Sequence, residues 1–202
     1  MMRAQAEDDK PVCRDAELVA QILRGDLGAF EVLYQKYKRP LYQTALAITG
    51  DTGAAEEILQ DTYVRAYRAM ARVETTDSLA PWLHRIAVNL SYNWSRRNRV
   101  WTFDIDEWVD RLVAGPMVTP EHVAEDTEFR QVVWEALQKL AVKQRAAIVL
   151  FYLQGFSLAE IAFVLDCPVG TVKSRLHYAC KALRQVLSSD RGLAGEVVYG
   201  IP

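Results

Sequence analysis

Apolar residues recur every three or four positions along most of the chain, and the first half contains no alternating pattern typical of a half-buried strand. The first apolar stripe includes Leu18 and Ile22 and ends before Gly25, a residue type that commonly follows a helix. Pro40 has no backbone N–H to donate, so we expect a new helix to start there and to run to Gly50. The pattern predicts an all-α protein.

Residues 156–178 follow the pattern of a helix, a tight turn and a second helix. Ser157 and Glu160 have the spacing of a capping box, in which hydroxyl and carboxylate each accept a backbone hydrogen bond at the helix start. Asp166 tolerates a left-handed backbone, and Pro168 suits the start of the next helix. The second helix has one apolar face, and its opposite face carries Lys173, Ser174, His177, Tyr178 and Lys181.

A second helix with a buried back and a basic front is typical of a DNA-binding helix-turn-helix. Lys173 and Arg175 can reach phosphates or base edges, and Ser174 and His177 can form hydrogen bonds with bases. The alternative is an αα-hairpin whose charged face is simply solvated.

Charge is unevenly distributed along the chain. The formal net charge of the 202 residues is only −2, which does not by itself indicate a nucleic-acid-binding protein. Residues 100–128, however, contain eight carboxylates and one arginine, whereas residues 130–187 contain eight basic and three acidic side chains. A basic module therefore follows an acidic segment.

The three cysteines, Cys13, Cys167 and Cys180, are too widely spaced for a zinc or redox motif, and the histidines are scattered. No apolar run reaches the length of a membrane span, and the N-terminus lacks the apolar core of a signal peptide. We therefore expect a reduced, cytoplasmic protein without membrane insertion, cofactor, metal or catalytic centre.

Three runs in the helix-turn-helix resemble the promoter-reading domain of bacterial RNA polymerase sigma factors, and in particular of the small extracytoplasmic-function (ECF) group. They are Gly155-Phe156-Ser157, Glu160-Ile161-Ala162 and Asp166-Cys167-Pro168-Val169-Gly170-Thr171-Val172-Lys173-Ser174-Arg175-Leu176. The resemblance covers residues 15–187 and implies two small helical domains joined by an acidic linker. The implied segments are a tail (1–14), a polymerase- and −10-binding domain (15–99), the linker (100–127), a −35-reading domain (128–187) and a second tail (188–202).

Residues 53–69 resemble the helix with which these sigma factors bind the coiled coil of the large polymerase subunit. The resemblance implies that Glu57, Gln60, Asp61 and Arg65 dock on the polymerase. Amide and carboxylate groups suit this role because they can orient a basic partner surface. The alternative is an ordinary solvated helix face.

Residues 81–99 resemble the helix that contacts the −10 element and holds the separated non-template strand. Asn89 and Asn93 are four residues apart, so two amides share one helix face, from which they can bind bases. Many family members carry Asp at the position of Asn93. Tyr92 and Trp94 can stack on unpaired bases, and for Trp94 the alternative is packing against a neighbouring helix. The implied −10 contacts on this helix are Arg85, Asn89, Asn93, Arg96 and Arg97.

Two connecting segments also resemble functional parts of the family. Thr76 and Asp77 lie where a loop captures a flipped −10 base, which hydrogen-bonding side chains can discriminate; the alternative is a plain connection. In the family, the acidic linker passes through polymerase channels built for RNA. Its aromatic residues can instead pack against the flanking domains.

The resemblance assigns −35 recognition to the second helix of the helix-turn-helix. Ala141 stands where family members often carry Pro, and Phe151, Tyr178 and Cys180 stand where they commonly carry Arg. These departures reduce the positive charge that the chain offers to DNA. The implied −35 contacts are Thr171, Lys173, Ser174, Arg175, His177 and Tyr178.

Together these features predict a sigma factor, monomeric when free, rather than an enzyme. It would bind core RNA polymerase through the large-subunit coiled coil and flap, recognise −35 and −10 promoter DNA, and assist melting. An anti-sigma factor is a further expected partner, since many family members have one. The alternatives are a dimeric helix-turn-helix regulator that binds DNA alone and an adaptor with two protein-binding helical domains. Promoter binding that depends on core polymerase would separate them.

Overall fold

A computed structural model describes residues 15–73, 78–98 and 123–189, without the side chains of residues 123–130 and 186–189. All regular elements in these ranges are helical, which confirms the all-α prediction. They are α1 (Asp15–Leu23), α2 (Leu27–Thr49), α3 (Thr52–Ala69), a 3₁₀ turn (Met70–Arg72), α4 (Ala80–Arg97), α5 (Val123–Gln138), α6 (Val142–Ile148), a π-helical turn (Val149–Leu153), α7 (Leu158–Val164) and α8 (Val169–Ser189).

The expected helix break at Pro40 is wrong, because α2 continues through this residue. A proline inside a helix removes a hydrogen bond and costs about 3 kcal/mol. Here the cost is offset by core packing on both sides of the proline, where Leu33 and Leu41 are completely buried. Asp26 caps the start of α2, and Gly50 ends it with a φ of 75°.

Helices α1–α4 enclose the largest apolar cluster of the described residues. Its centre includes Leu33, Leu41, Ala55 and Leu83, all with no exposed surface, at the spacing of amphipathic helices. Trp134 of α5 also belongs to this cluster and is 3% exposed. Val149 is a further member, so two side chains from the C-terminal half complete the N-terminal core.

The helix-turn-helix forms as the sequence predicts. Ser157 and Glu160 make a complete capping box at the start of α7, with the Ser157 N–H donating to Glu160 Oε2 at 2.8 Å. Asp166 adopts the left-handed conformation, with a φ of 48°, between α7 and α8. Pro168 then precedes the first turn of α8. The local residue types thus determine the turn.

The two halves of the chain pack against each other. Ile48 of α2 and Val88 of α4 share a buried cluster with Leu150 and Ile161. Arg145 of α6 is 1% exposed and its Nη1 donates to the Ile48 carbonyl of α2 at 3.0 Å. Core contacts therefore cross from helices α1–α4 to helices α5–α8.

Two further points concern the predicted boundaries. Helix α5 begins at Val123, inside the segment predicted as linker. The sequence places this boundary too late, because the apolar repeat that indicates the second domain starts only at Phe129. Residues 100–122 of the linker, the whole first tail (1–14) and residues 190–202 of the second tail lie outside the described residues. None of the helices in the described ranges is long and apolar enough to cross a bilayer.

Candidate protein- and nucleic-acid-binding surfaces

Helix α3 presents an exposed polar face to solvent. Asp51 caps the helix by accepting a hydrogen bond from the Ala54 N–H at 2.7 Å, and Thr62 and Ala66 face the core with no exposed surface. The four side chains predicted to dock on the polymerase all lie on the exposed side. They are Glu57, Gln60, Asp61 and Arg65.

Two apolar side chains of α3 were missed by sequence reasoning. Val64 is 47% exposed and Tyr67 is 52% exposed. The Tyr67 ring packs edge-on against Phe30 of α2, with ring centroids 5.4 Å apart, so the body of the side chain is held while its surface stays open. The signal in the sequence that could have identified them is a large apolar residue at a helix position expected to be exposed. They add apolar contact area next to the polar docking residues.

Helix α4 carries a second exposed polar face. Asn89, Asn93, Arg96 and Arg97 are all exposed, and the Arg97 side chain donates to the Asn93 carbonyl at 3.4 Å. The face combines two amides with two guanidinium groups, which suits hydrogen bonding to bases beside neutralisation of phosphates.

An open cleft of about 610 Å³ lies beside this face, between α4 and the start of α6. Lys143 of α6 lies across the cleft from the amide-bearing helix and adds a third cation. Sequence reasoning did not associate Lys143 with α4, because the two are far apart in the sequence. The lining residues are Asn89, Tyr92, Asn93, Ser95, Arg96, Val142 and Lys143.

The aromatic residues of α4 are engaged in packing. Tyr92 packs against the cluster shared by both halves, and burial raises the pKa of its hydroxyl well above the ordinary value. Trp94 packs against the core of α1–α4. Both residues are half-buried, so these contacts favour packing as the main role of the two rings.

Arg85, a predicted −10 contact, is bound to the helix-turn-helix in the structure. Its Nη2 lies 2.9 Å from Asp166 Oδ1, and its guanidinium lies over the Phe163 ring at 5.0 Å from the centroid. Next to it, the rings of His84 and Phe156 meet edge-on at 4.9 Å. The start of α4 is thus covered by α7.

The two predicted base-capture residues, Thr76 and Asp77, lie outside the described residues. The described chain stops at Val73, after the 3₁₀ turn, and resumes at Ser78, just before α4.

Helix α8 exposes most of its predicted −35 face. Lys173, Ser174, His177 and Tyr178 are exposed, with 60% of Tyr178 accessible. Arg175 is only partly exposed, and its Nη1 lies 3.5 Å from Cys167 Sγ in the turn. Thr171 and Arg175 are therefore set back from the other four side chains.

The interpretation of Cys180 and Phe151 as positions facing DNA is wrong. Cys180 is only 7% exposed, and its Sγ lies 3.8 Å from the Tyr152 hydroxyl in the cluster that α8 forms with α5. Phe151 packs against the cluster shared by both halves. Position 180 lies almost two full turns after Lys173 and so on the same side of α8, but the packing of α5 against the later turns of α8 buries it. Only Tyr178 therefore stands at such a position on the exposed surface.

Comparison with known proteins identifies the family of the chain. Residues 33–100 match the family model for sigma-70 region 2, and residues 130–183 match that for sigma-70 region 4. The chain is 33% identical over 181 residues to the ECF RNA polymerase sigma factor SigW of Bacillus subtilis, covering 84% of this chain and 94% of SigW. It is 31% identical over 176 residues to the ECF sigma-E factor of Escherichia coli K12, covering 84% and 92%.

Two solved structures have similar folds. CnrH, in complex with the cytosolic domain of CnrY, superimposes with a TM-score of 0.64 at 25% identity, over 86% of this chain and 96% of CnrH. The sigma factor RpoE of Bartonella quintana, in complex with the anti-sigma factor NepR, gives 0.61 at 27% identity, over 80% and 98%. With both sigma-70 regions present and relatives matched over most of their length, this chain belongs to the ECF sigma factors of the sigma-70 family.

Proposed function

We propose that this sigma factor binds core RNA polymerase through α3, reads −10 DNA with α4 and −35 DNA with α8, and assists promoter melting. The observation that best supports this division is that each helix exposes its own polar face while burying the opposite one. The faces of α3 and α4 lie in the segment that matches region 2, and that of α8 in the segment that matches region 4. The protein would act in the cytoplasm, where these partners are found.

The α4 face suits single-stranded DNA. Asn89 and Asn93 can each donate to and accept from an unpaired base, while Arg96 and Arg97 can neutralise the phosphates on either side. Binding the separated strand lowers the free energy of the melted state relative to the duplex, so melting is favoured without any covalent chemistry.

An anti-sigma factor is the proposed negative regulator. The two solved structures with similar folds both contain a further protein bound to the matched chain, and in one of them that protein is named an anti-sigma factor. A partner of this kind would act by covering the polymerase-binding or DNA-binding faces.

The central test is whether promoter binding depends on core polymerase. Purified protein would be mixed with core polymerase, captured, and used in run-off transcription from a promoter selected by the holoenzyme. We expect stoichiometric capture and initiation at one start site. Promoter-specific binding by the protein alone would instead favour an independent helix-turn-helix regulator, and polymerase capture without initiation would favour an adaptor.

Docking through α3 can be tested with the double variant Gln60→Ala and Asp61→Ala. Both side chains are exposed, so the variant should fold with a free energy of unfolding within about 0.5 kcal/mol of the wild type. Its affinity for core polymerase should fall because two orienting polar groups are lost. Titration of labelled protein with core polymerase measures the effect.

A matched control for this pair is Glu31→Ala with Gln35→Ala on α2. These two side chains are also exposed or partly exposed and hydrogen-bond to each other at 2.6 Å, but they lie outside the proposed docking face. If the Gln60 and Asp61 variant binds core polymerase as tightly as this control, α3 is not the docking helix.

Recognition by α8 can be tested with Lys173→Ala. Lys173 is exposed in the first turns of α8, the part of a recognition helix that usually enters the major groove most deeply. We expect the preference of the holoenzyme for the promoter −35 duplex over a scrambled duplex to fall by about 1–3 kcal/mol, the value of a bidentate base contact. Equal weakening on both duplexes would make Lys173 a phosphate contact instead.

The opposite change on the same helix face, Tyr178→Arg, serves as the matched comparison. It adds a cation at a position that is 60% exposed, so binding should strengthen on both duplexes. The log–log salt dependence should steepen by about one unit for one added phosphate contact. An unchanged slope would show that position 178 does not approach the DNA backbone.

A further inference from the structure

A buried carboxylate joins α1 to the start of α4. Asp15 is the first residue of α1 and has no exposed surface. Its Oδ2 accepts hydrogen bonds from the Leu79 backbone N–H at 2.6 Å and from the Tyr37 hydroxyl, and its Oδ1 pairs with Lys36 Nζ at 2.7 Å. Both oxygens therefore have donors, as a buried charge requires.

The carboxylate takes the place of a helix cap. The first N–H groups of a helix lack intrahelical partners, and a negative charge is favoured beside them. Leu79 stands at the cap position of α4 and makes no side-chain capping bond. The Asp15 carboxylate, 64 residues earlier in the sequence, accepts the hydrogen bond of the Leu79 N–H. The first turn of α4 is therefore fixed by α1.

Ser78 extends this network to the residue where the described chain resumes. Its Oγ lies 3.3 Å from the Tyr37 hydroxyl and accepts a hydrogen bond from the Ala80 N–H at 3.2 Å. Helix α1 also packs against the 3₁₀ turn Met70–Arg72, on the other side of residues 74–77. One short helix thus holds the chain on both sides of that segment.

The donors around the carboxylate keep their protons at neutral pH. Burial opposes the charge of Lys36, yet its hydrogen bond to Asp15 leaves the Lys36 pKa above the ordinary lysine value. Burial, reinforced by the hydrogen bond to Asp15, also raises the pKa of Tyr37. Asp15 therefore has a permanent cation and a permanent hydroxyl donor beside it.

We propose that Asp15 is a positioning residue for −10 recognition, which fixes the first turn of α4 and the point where the chain enters this helix. The inference rests on the proposed role of α4 and adds a residue outside the matched region 2 segment, which begins at residue 33. Asp15 would act on DNA only through α4, so it affects base preference and melting rather than polymerase docking by α3.

The test compares Asp15→Asn and Asp15→Ala with Val19→Ala. Val19 is 7% exposed on the same helix, so shortening it weakens the α1 core without removing the carboxylate. A promoter would first be selected by wild-type holoenzyme from a library randomised across the −10 element. Each variant holoenzyme would then be assayed for melting, by permanganate reactivity, on this promoter and on single-base −10 substitutions.

We expect the preference among −10 sequences to be at least about fivefold weaker in both Asp15 variants than in the wild type. This factor is the lower limit for the loss of one bidentate base contact. Affinity for core polymerase should stay at the wild-type level, and Val19→Ala should keep its preference. Wild-type preference in Asp15→Asn would overturn the proposal. The proposal would also be overturned if Val19→Ala lost its −10 preference at the same thermal stability as the Asp15 variants. It would be overturned as well if the Asp15 variants lost affinity for core polymerase in parallel with their −10 preference.

Two milder variants keep the proposal testable if Asp15→Ala fails to fold. Asp15→Asn keeps the size of the side chain but loses the charge and one of the two oxygen acceptors, and Tyr37→Phe removes one donor alone. We expect Tyr37→Phe to shift −10 preference in the same direction as Asp15→Asn, and wild-type preference in Tyr37→Phe would also overturn the proposal. Failure of the wild-type protein to melt any selected promoter would instead reject the proposed function of α4.

Discussion

Replacing Arg145 with Met is expected to lower the free energy of unfolding by about 3 kcal/mol, because several buried carbonyl groups lose their donor. The guanidinium donates to the Ile48 carbonyl at 3.0 Å, the Gln138 carbonyl at 2.7 Å and the Leu140 carbonyl at 3.2 Å. It also donates to the Gln138 side chain. Methionine fills much of the same volume and leaves these acceptors unpaired.

The position of these carbonyls explains why a cation is needed. Ile48 lies in the last turn of α2, and Gln138 ends α5, so both carbonyls lie at helix C-termini, where the helix dipole is negative. Burial lowers the pKa of Arg145 to about 10, which is still far above neutral. The side chain therefore stays charged at neutral pH and joins two helix ends whose carbonyls, within the described part of the chain, receive no backbone N–H from a loop.

Chemical denaturation followed by circular dichroism measures the effect, with Lys143→Met as the matched control. Lys143 lies on the same helix and is exposed, so its replacement should change the free energy of unfolding by less than about 0.5 kcal/mol. Arg145→Lys should fall between the two, because a single ammonium cannot reproduce the planar fork. If Arg145→Met unfolds at the wild-type midpoint, water must satisfy the carbonyls.

Arg145 also shows where sequence reasoning stops. In the sequence it is one of eight basic residues in the basic C-terminal module, and charge alone predicts a solvated or DNA-facing side chain. The structure buries it against a carbonyl 97 residues away. Such a contact leaves no local signal, because the partner is a backbone oxygen that any residue at position 48 would provide.

Local signals, in contrast, were sufficient for the helix-turn-helix. Each feature depends on residues within one or two turns of each other. These features are the Ser157–Glu160 capping box, the left-handed backbone at Asp166, and the placement of Val172 on the buried face and Lys173 on the exposed face of α8. Pro40 misled the prediction because its local preference is opposed by burial along the whole length of α2, a tertiary effect.

The exposure of the candidate surfaces could be predicted, but their partners within the protein could not. Helical periodicity placed the α3 docking residues and Asn89 on open faces, as observed. It could not show that Arg85 would bind Asp166, since that pair depends on how two separate helical units meet. The same limit applies to Asp15, whose N–H donor lies on a different helix.

The contact between α4 and α7 has a consequence for promoter binding. Arg85 is bound to Asp166 and Phe163 in this arrangement, so a predicted −10 contact is occupied by the unit proposed to read the −35 element. The two promoter elements are, by their numbering, about 25 base pairs or ~85 Å apart along B-DNA. A compact chain of this length has a radius of gyration of only about 17 Å. The proposed binding of both elements by one molecule therefore requires the two units to separate.

Locking the two units together is accordingly expected to abolish promoter melting. We would replace Arg85 and Phe163 by cysteine in a background with Cys13, Cys167 and Cys180 removed, and join them with a short bis-maleimide that contains a cleavable disulfide. Phe163 is 45% exposed and helical, so the substitution avoids the left-handed backbone at Asp166. Permanganate reactivity of the selected promoter measures melting by the cross-linked holoenzyme.

Cleaving the linker with a reductant should restore melting in the same protein sample. This comparison removes any effect of losing the Arg85 side chain, because that residue is absent both before and after cleavage. Protein carrying a single-ended maleimide at the same cysteines should melt the promoter in either condition. Full melting by the cross-linked protein would show that −10 and −35 recognition do not require α4 to leave α7.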